Sequence, residues 1–247
     1  MTNKKLKKIR SAIRASCYNW WDLNRDFDKL HLTEVEYLEL CKFAINLYPD
    51  QILHVRTDKI SDADYYAVCK VMALHGTVTN DVNYDKLKRV NAVYDIWETA
   101  MLNKQGYFDG RTTIFAIKNA QQKFKYLPER DYAKICLIMY LKFPGKISKN
   151  DICDMHKRGL LTDADVEFMV RKIIEFATMD FYEPFDTAVN TAYKYDMAFG
   201  SSGNITPQDK KWLDTLRNAQ FKILGNKIKF ENNLGNALLQ KSTEHSK

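Results

Sequence analysis

Leu32-Thr-Glu-Val-Glu-Tyr-Leu-Glu-Leu-Cys-Lys-Phe-Ala-Ile-Asn-Leu-Tyr-Pro49 is the stretch that sets the class of fold. Thr33-Glu-Val-Glu36 has the form of a capping box: the Thr33 hydroxyl accepts the Glu36 N–H, and the Glu36 carboxylate reaches back to the Thr33 N–H. Behind it Val35, Leu38, Cys41, Ile45 and Tyr48 recur at steps of three or four, the spacing of one helix face, and Pro49 stops the run. Working outward, the same grammar repeats. Leu6, Ile9, Ile13, Cys17 and Trp20 form a stripe in the first segment. Ser61-Asp-Ala-Asp64 opens a further helix that Gly76 can end. Residues 84–103 read as one helix with Leu87, Val90, Val93/Tyr94, Trp97 and Met101 on one face. A turn follows at Gly106–Gly110, and Thr112 or Thr113 opens a helix to about Lys125.

The second half resembles the first. Leu32-x-Glu-x-x-Tyr-x-x-x-Cys41 matches Leu127-x-Glu-x-x-Tyr-x-x-x-Cys136 at an offset of 95, and Pro49 and Ile52 match Pro144 and Ile147 at the same offset. Ile60-Ser-Asp-Ala-Asp64 matches Leu161-Thr-Asp-Ala-Asp165 at 101, and Ile117-Lys-Asn-Ala-Gln121 matches Leu216-Arg-Asn-Ala-Gln220 at 99. The drift comes from six extra residues between Ile147 and Leu161, where Ser148-Lys-Asn-Asp151 begins an additional short helix ending at Gly159. The expected fold is all-α, with about eight to ten helices in two tandem related helical subdomains packed together. The expected division is a basic N-terminal helix (1–25), two repeats (26–125 and 126–225) and a polar, basic C-terminal tail (226–247). With 9 Gly and 5 Pro in 247 residues, the composition favours this over a turn-rich β fold.

No stretch approaches the roughly 20 apolar residues of a membrane span. The basic start followed by Cys17–Trp21 lacks a signal-peptide core, so a cytoplasmic protein is expected. The five cysteines are odd in number, and four sit inside apolar helical patterns, the usage of reduced thiols.

Chemistry-bearing motifs are few. The chain has no Gly-rich phosphate loop, no nucleophile elbow and no HExxH pair, so no catalytic residue and no cofactor are assigned. Cys153-x-x-His156 with Asp151 is the nearest approach to metal spacing, but it lacks further ligands, and no metal is expected. Asp62/Asp64 and Asp163/Asp165 follow a Ser or Thr in a first helical turn, where acids complete a cap and offset the macrodipole. Tyr37/Cys41 and Tyr132/Cys136 read as core pairs. Residues 147–170 loosely resemble a helix-turn-helix, yet the second helix opens Thr-Asp-Ala-Asp-Val-Glu, which phosphates repel.

Charge gives the leading functional expectation. Residues 1–14 carry six cations and no acid, residues 206–247 carry a net +4, and the 191 residues between sum to −3. The chain is expected to be a non-enzymatic binding protein contacting nucleic-acid phosphates through Lys4, Lys5, Lys7, Lys8, Arg10, Arg14, Lys222, Lys227 and Lys229, with Trp21 available to stack on a base. The alternatives are a protein-interaction module presenting an aromatic patch around Trp20, Trp21 and Trp97, and an enzyme whose site carries no motif.

Overall fold

The computed structural model describes residues 3–14, 27–79, 81–104, 126–143, 147–176 and 206–244, and their side chains except those of 3, 5, 27, 28, 176 and 227–244. The described residues are all-α. There are ten helices and no strand: α1 Asn3–Arg14, α2 Phe27–Leu30, α3 Glu34–Leu47, α4 Asp62–Leu74, α5 Tyr84–Arg89, α6 Val93–Asn103, α7 Glu129–Lys142, α8 Lys149–Lys157, α9 Asp163–Phe176 and α10 Pro207–Glu244. Short 3₁₀ turns at Pro49–His54 and Thr57–Lys59 join α3 to α4. No described helix is long and apolar enough to cross a membrane. The chain divides into two compact units: the first takes the described residues up to Lys104 with 126–128, the second those from Glu129 onward.

In the first unit α4 packs against both α3 and α6, while α5 and the first 3₁₀ turn close on it and α1 lies on α3. Its core is Tyr37, Leu40, Cys41, Ala44 and Ile45 of α3, Tyr65, Val68, Cys69 and Met72 of α4, and Ile96, Trp97, Ala100 and Met101 of α6. Each large apolar side chain so buried contributes about 1.5–3 kcal/mol. The Thr33–Glu36 box forms in both directions, at 3.3 and 3.0 Å. Ser61 caps α4, its hydroxyl accepting the Asp64 N–H at 3.1 Å. The stripe read from the sequence in α3 is corrected in phase. Val35 is 71% exposed, and the buried line runs through Tyr37, Leu40, Cys41, Ala44 and Ile45. Apolar residues occur around most of this helix, so their period identifies a helix without fixing which side is inward.

The single helix expected over 84–103 is two. Asn91 takes a left-handed conformation (φ 52°), and the Ala92 N–H closes on the Leu87 carbonyl at 2.9 Å. Asn tolerates that conformation better than other residues with a Cβ. Asn83 caps the first piece through the Lys86 N–H at 3.3 Å.

The buried tyrosines pin the connections. The Tyr37 hydroxyl accepts the Arg56 N–H at 2.9 Å, and the Tyr65 hydroxyl accepts the Asn83 N–H at 2.8 Å. Each phenol also hydrogen-bonds the thiol one turn on, Cys41 or Cys69. Burial pushes both thiols up to about 12, so they are small core groups without nucleophilic character.

In the second unit α7 is central: Ile135, Leu137, Ile138, Met139 and Leu141 are all buried, as a helix packed on several sides requires. It contacts α8, α9 and α10, and α9 and α8 both pack on α10. Both ends of α7 lie 95 residues after those of α3. Where the first unit has 3₁₀ turns the second has α8, capped by Ser148 and ended at Gly159 with φ 71°. Thr162 and Asp165 then form a reciprocal cap at 3.3 and 2.9 Å. The expected segments at 106–125 and the residues Cys17, Trp20 and Trp21 lie outside the described residues.

Candidate nucleic-acid interface

Lys4 stands in the first turn of α1, which holds no acid and where cations oppose the helix dipole. The helix is therefore held by packing. Ile13 is buried and Leu6 and Ile9 are half-buried on the side that meets α3, while Lys4, Lys7, Lys8, Ser11 and Arg14 are exposed on the other. Lys4, Lys7 and Lys8 make no ion pair with a described residue. From Lys4 to Arg14 the face spans ten residues, about 15 Å of helix.

Arg10 is half-buried. Its Nε is buried, its terminal nitrogen lies 3.9 Å from Glu39, and its guanidinium stands 5.6 Å from the centre of the Phe43 ring. It belongs to the seam between α1 and α3, not to the outward lysine face. Arg14 also lies over Phe43, at 5.3 Å, but stays exposed. The Lys5 side chain and Trp21 lie outside the described residues.

The second basic segment is on α10. Thr206 and Asp209 cap its start at 3.2 and 3.0 Å. Asp209 is buried and paired with Lys157 of α8 at 2.8 Å. Lys157, then the Thr206 hydroxyl and N–H, lower its pKa to about 2. One turn on, Trp212 is buried under the His156 ring, with centroids 4.0 Å apart and planes 9° from parallel. His156 is thus stacked on Trp212, and Cys153 is buried. Among the described residues no three His, Cys, Asp or Glu side chains group to hold a metal.

The inward line of α10 continues through Leu216, Ala219, Gln220 and Ile223, with the Gln220 amide donating to the Tyr140 carbonyl at 2.9 Å. Outward stand Lys210, Lys211, Asn218, Phe221 and Lys222. Lys222, one of the expected contact residues, is exposed. Lys227 and Lys229 continue on the helical backbone, but their side chains lie outside the described residues. Lys210, Lys211 and Phe221 were not singled out from sequence. The signal for Phe221 was its place off the Trp212–Leu216–Ala219–Ile223 line.

The aromatic patch of the alternative reading loses a member. Trp97 is fully buried, stacked at 6.3 Å on Tyr84, which in turn stacks at 5.4 Å on Tyr126.

Two ionic clusters escaped the sequence because their members are far apart in the chain. Lys70 of α4 reaches Asp95 at 2.5 Å and Thr99 at 2.8 Å on α6, and the Tyr66 hydroxyl donates to Asp95 at 2.8 Å. That hydrogen bond to a carboxylate raises the Tyr66 pKa. Asp62, expected only as a cap residue, accepts from Arg89 at 2.5 and 2.8 Å and from Lys86 at 2.8 Å. Arg89, then Lys86, holds the Asp62 carboxyl well below its ordinary range. Every charge in these clusters is answered by a neighbour. They join α4 to α6 and α5.

No protein-family model, curated protein or solved structure matches the chain.

Proposed function

We propose that this chain is a binding protein that contacts nucleic-acid phosphates through the outward faces of α1 and α10, working in a reducing, cytoplasmic setting. The observation that carries the reading is the face of Lys4, Lys7 and Lys8: three exposed ammonium groups on one side of a helix anchored by Ile13, with no carboxylate among the described residues to neutralise them. Lysines held this way neutralise phosphates and release condensed counterions. On α10, Lys210, Lys211 and Lys222 supply a second set. The four described cysteines are buried thiols in no disulfide, which fits a reducing compartment.

The test is binding of the full chain to a duplex oligonucleotide over a salt series. The logarithm of affinity should fall linearly with that of salt, and Lys4→Ala/Lys7→Ala/Lys8→Ala together should lower the slope by up to about three phosphate contacts. Unchanged affinity and slope in that variant would remove α1 from the reading. Co-purification of a protein that survives nuclease and moderate salt would favour a protein partner.

We also read the two units as tandem copies. The coincident bounds of α3 and α7 support this, as does Tyr132, buried before Cys136 as Tyr37 is before Cys41. Experimental coordinates in which 32–76 fails to superpose on 127–177 would end that reading.

A further inference from the structure

We infer that α10 carries a stacking platform for unpaired bases, so that the nucleic acid this chain takes is single-stranded; the inference rests on the phosphate-binding reading above. The platform is Phe221. It is 44% exposed on a helix whose apolar line, Trp212, Leu216, Ala219 and Ile223, is already buried in the second unit. Asn218 stands one turn before it, Lys222 directly beside it, and Lys211 three turns before Lys222 on the same side, all exposed; the carboxylate on this side, Asp214, is paired with Arg217 at 3.7 Å. The strip from Lys211 to Lys222 is about 17 Å long.

The chemistry around the ring selects the occupant. A lipid surface needs a continuous apolar helix face, and here that face is used by the core. Protein interfaces are depleted in lysine at their centres, whereas here lysine adjoins the ring. Duplex bases are stacked on one another and offer no free face. An unpaired base offers a flat π surface to the ring and its phosphates to Lys222 and Lys211.

The test uses the full chain with a labelled single-stranded oligothymidine and a duplex of equal length, read by fluorescence anisotropy. Phe221→Ala should weaken single-strand binding by about five- to a hundredfold and leave duplex binding unchanged. Phe221→Tyr should restore single-strand binding. If Phe221→Ala leaves single-strand affinity intact while Lys211→Ala/Lys222→Ala lowers both, the platform is overturned and the phosphate reading survives. Binding of neither nucleic acid by the unaltered chain overturns both.

Discussion

Gly76 and Gly159 end helices in the two units with nearly the same backbone, φ 67° and 71°, in different surroundings. A Cβ at Gly76 would stand 2.6 Å from the Lys104 Cα, whereas at Gly159 nothing lies within 4 Å. The first glycine is required twice, by conformation and by the approach of the chain after α6. The second is required by conformation alone. Local chemistry can be identical in the two units while the packing around it decides what each residue is worth.

That contrast gives the largest expected effect. Gly76→Ala should cost about 3–5 kcal/mol, combining left-handed strain with a backbone clash, and Gly159→Ala about 1–2 kcal/mol. Denaturant unfolding of the two variants measures it. Equal losses would mean that the close approach to Lys104 is not maintained in solution.

A middle-sized effect separates the carboxylates. The folded Asp209 pKa lies below its ordinary value, so its stabilising contribution is complete above that value and is lost as pH falls. The window runs from its ordinary 3.8 down to about 2. The unfolding midpoint should decline across this window, and Asp209→Asn should lower stability at neutral pH and flatten the decline. An unaltered acid limb in the variant would show that the pair with Lys157 contributes nothing.

The smallest effect compares two tyrosines. Tyr37→Phe removes the hydroxyl that accepts the Arg56 N–H and should cost about 1–2 kcal/mol. Tyr132 hydrogen-bonds Cys136, and no described backbone N–H reaches it, so Tyr132→Phe should cost less, about 0.5 kcal/mol. The reverse order would show that the two connections are held by other contacts.

Caps were legible because they join residues three apart. Thr33–Glu36, Ser61–Asp64 and Thr162–Asp165 need no knowledge of the rest of the molecule, and all three form. The phase of α3 was not legible, since Val35, Leu38 and Leu40 are equally apolar and only the position of α4 makes Leu40 inward. The break at Asn91 was hidden because the apolar spacing of 84–103 runs through it without interruption. Of the candidate interface, the cations were legible as charge. Assigning Arg10 to the seam with Phe43 and Glu39 took the packing of α1 on α3. Phe221 looked like any core aromatic until Trp212, Leu216 and Ile223 were seen to fill the inward side of α10.

The sequence by itself determined the all-helical class, the ends of α3, α4 and α8, and the concentration of positive charge near both ends of the chain. Periodicity, capping and charge are properties of neighbours along the chain, so they can be read from it. Tertiary structure alone decided which side of each helix is buried, which ions are answered across 24 or more residues, as in Lys86–Asp62 and Lys70–Asp95, and which aromatics, Phe168 and Phe221 among them, remain in water. Those outcomes depend on what another segment places opposite a side chain, and no local pattern specifies it.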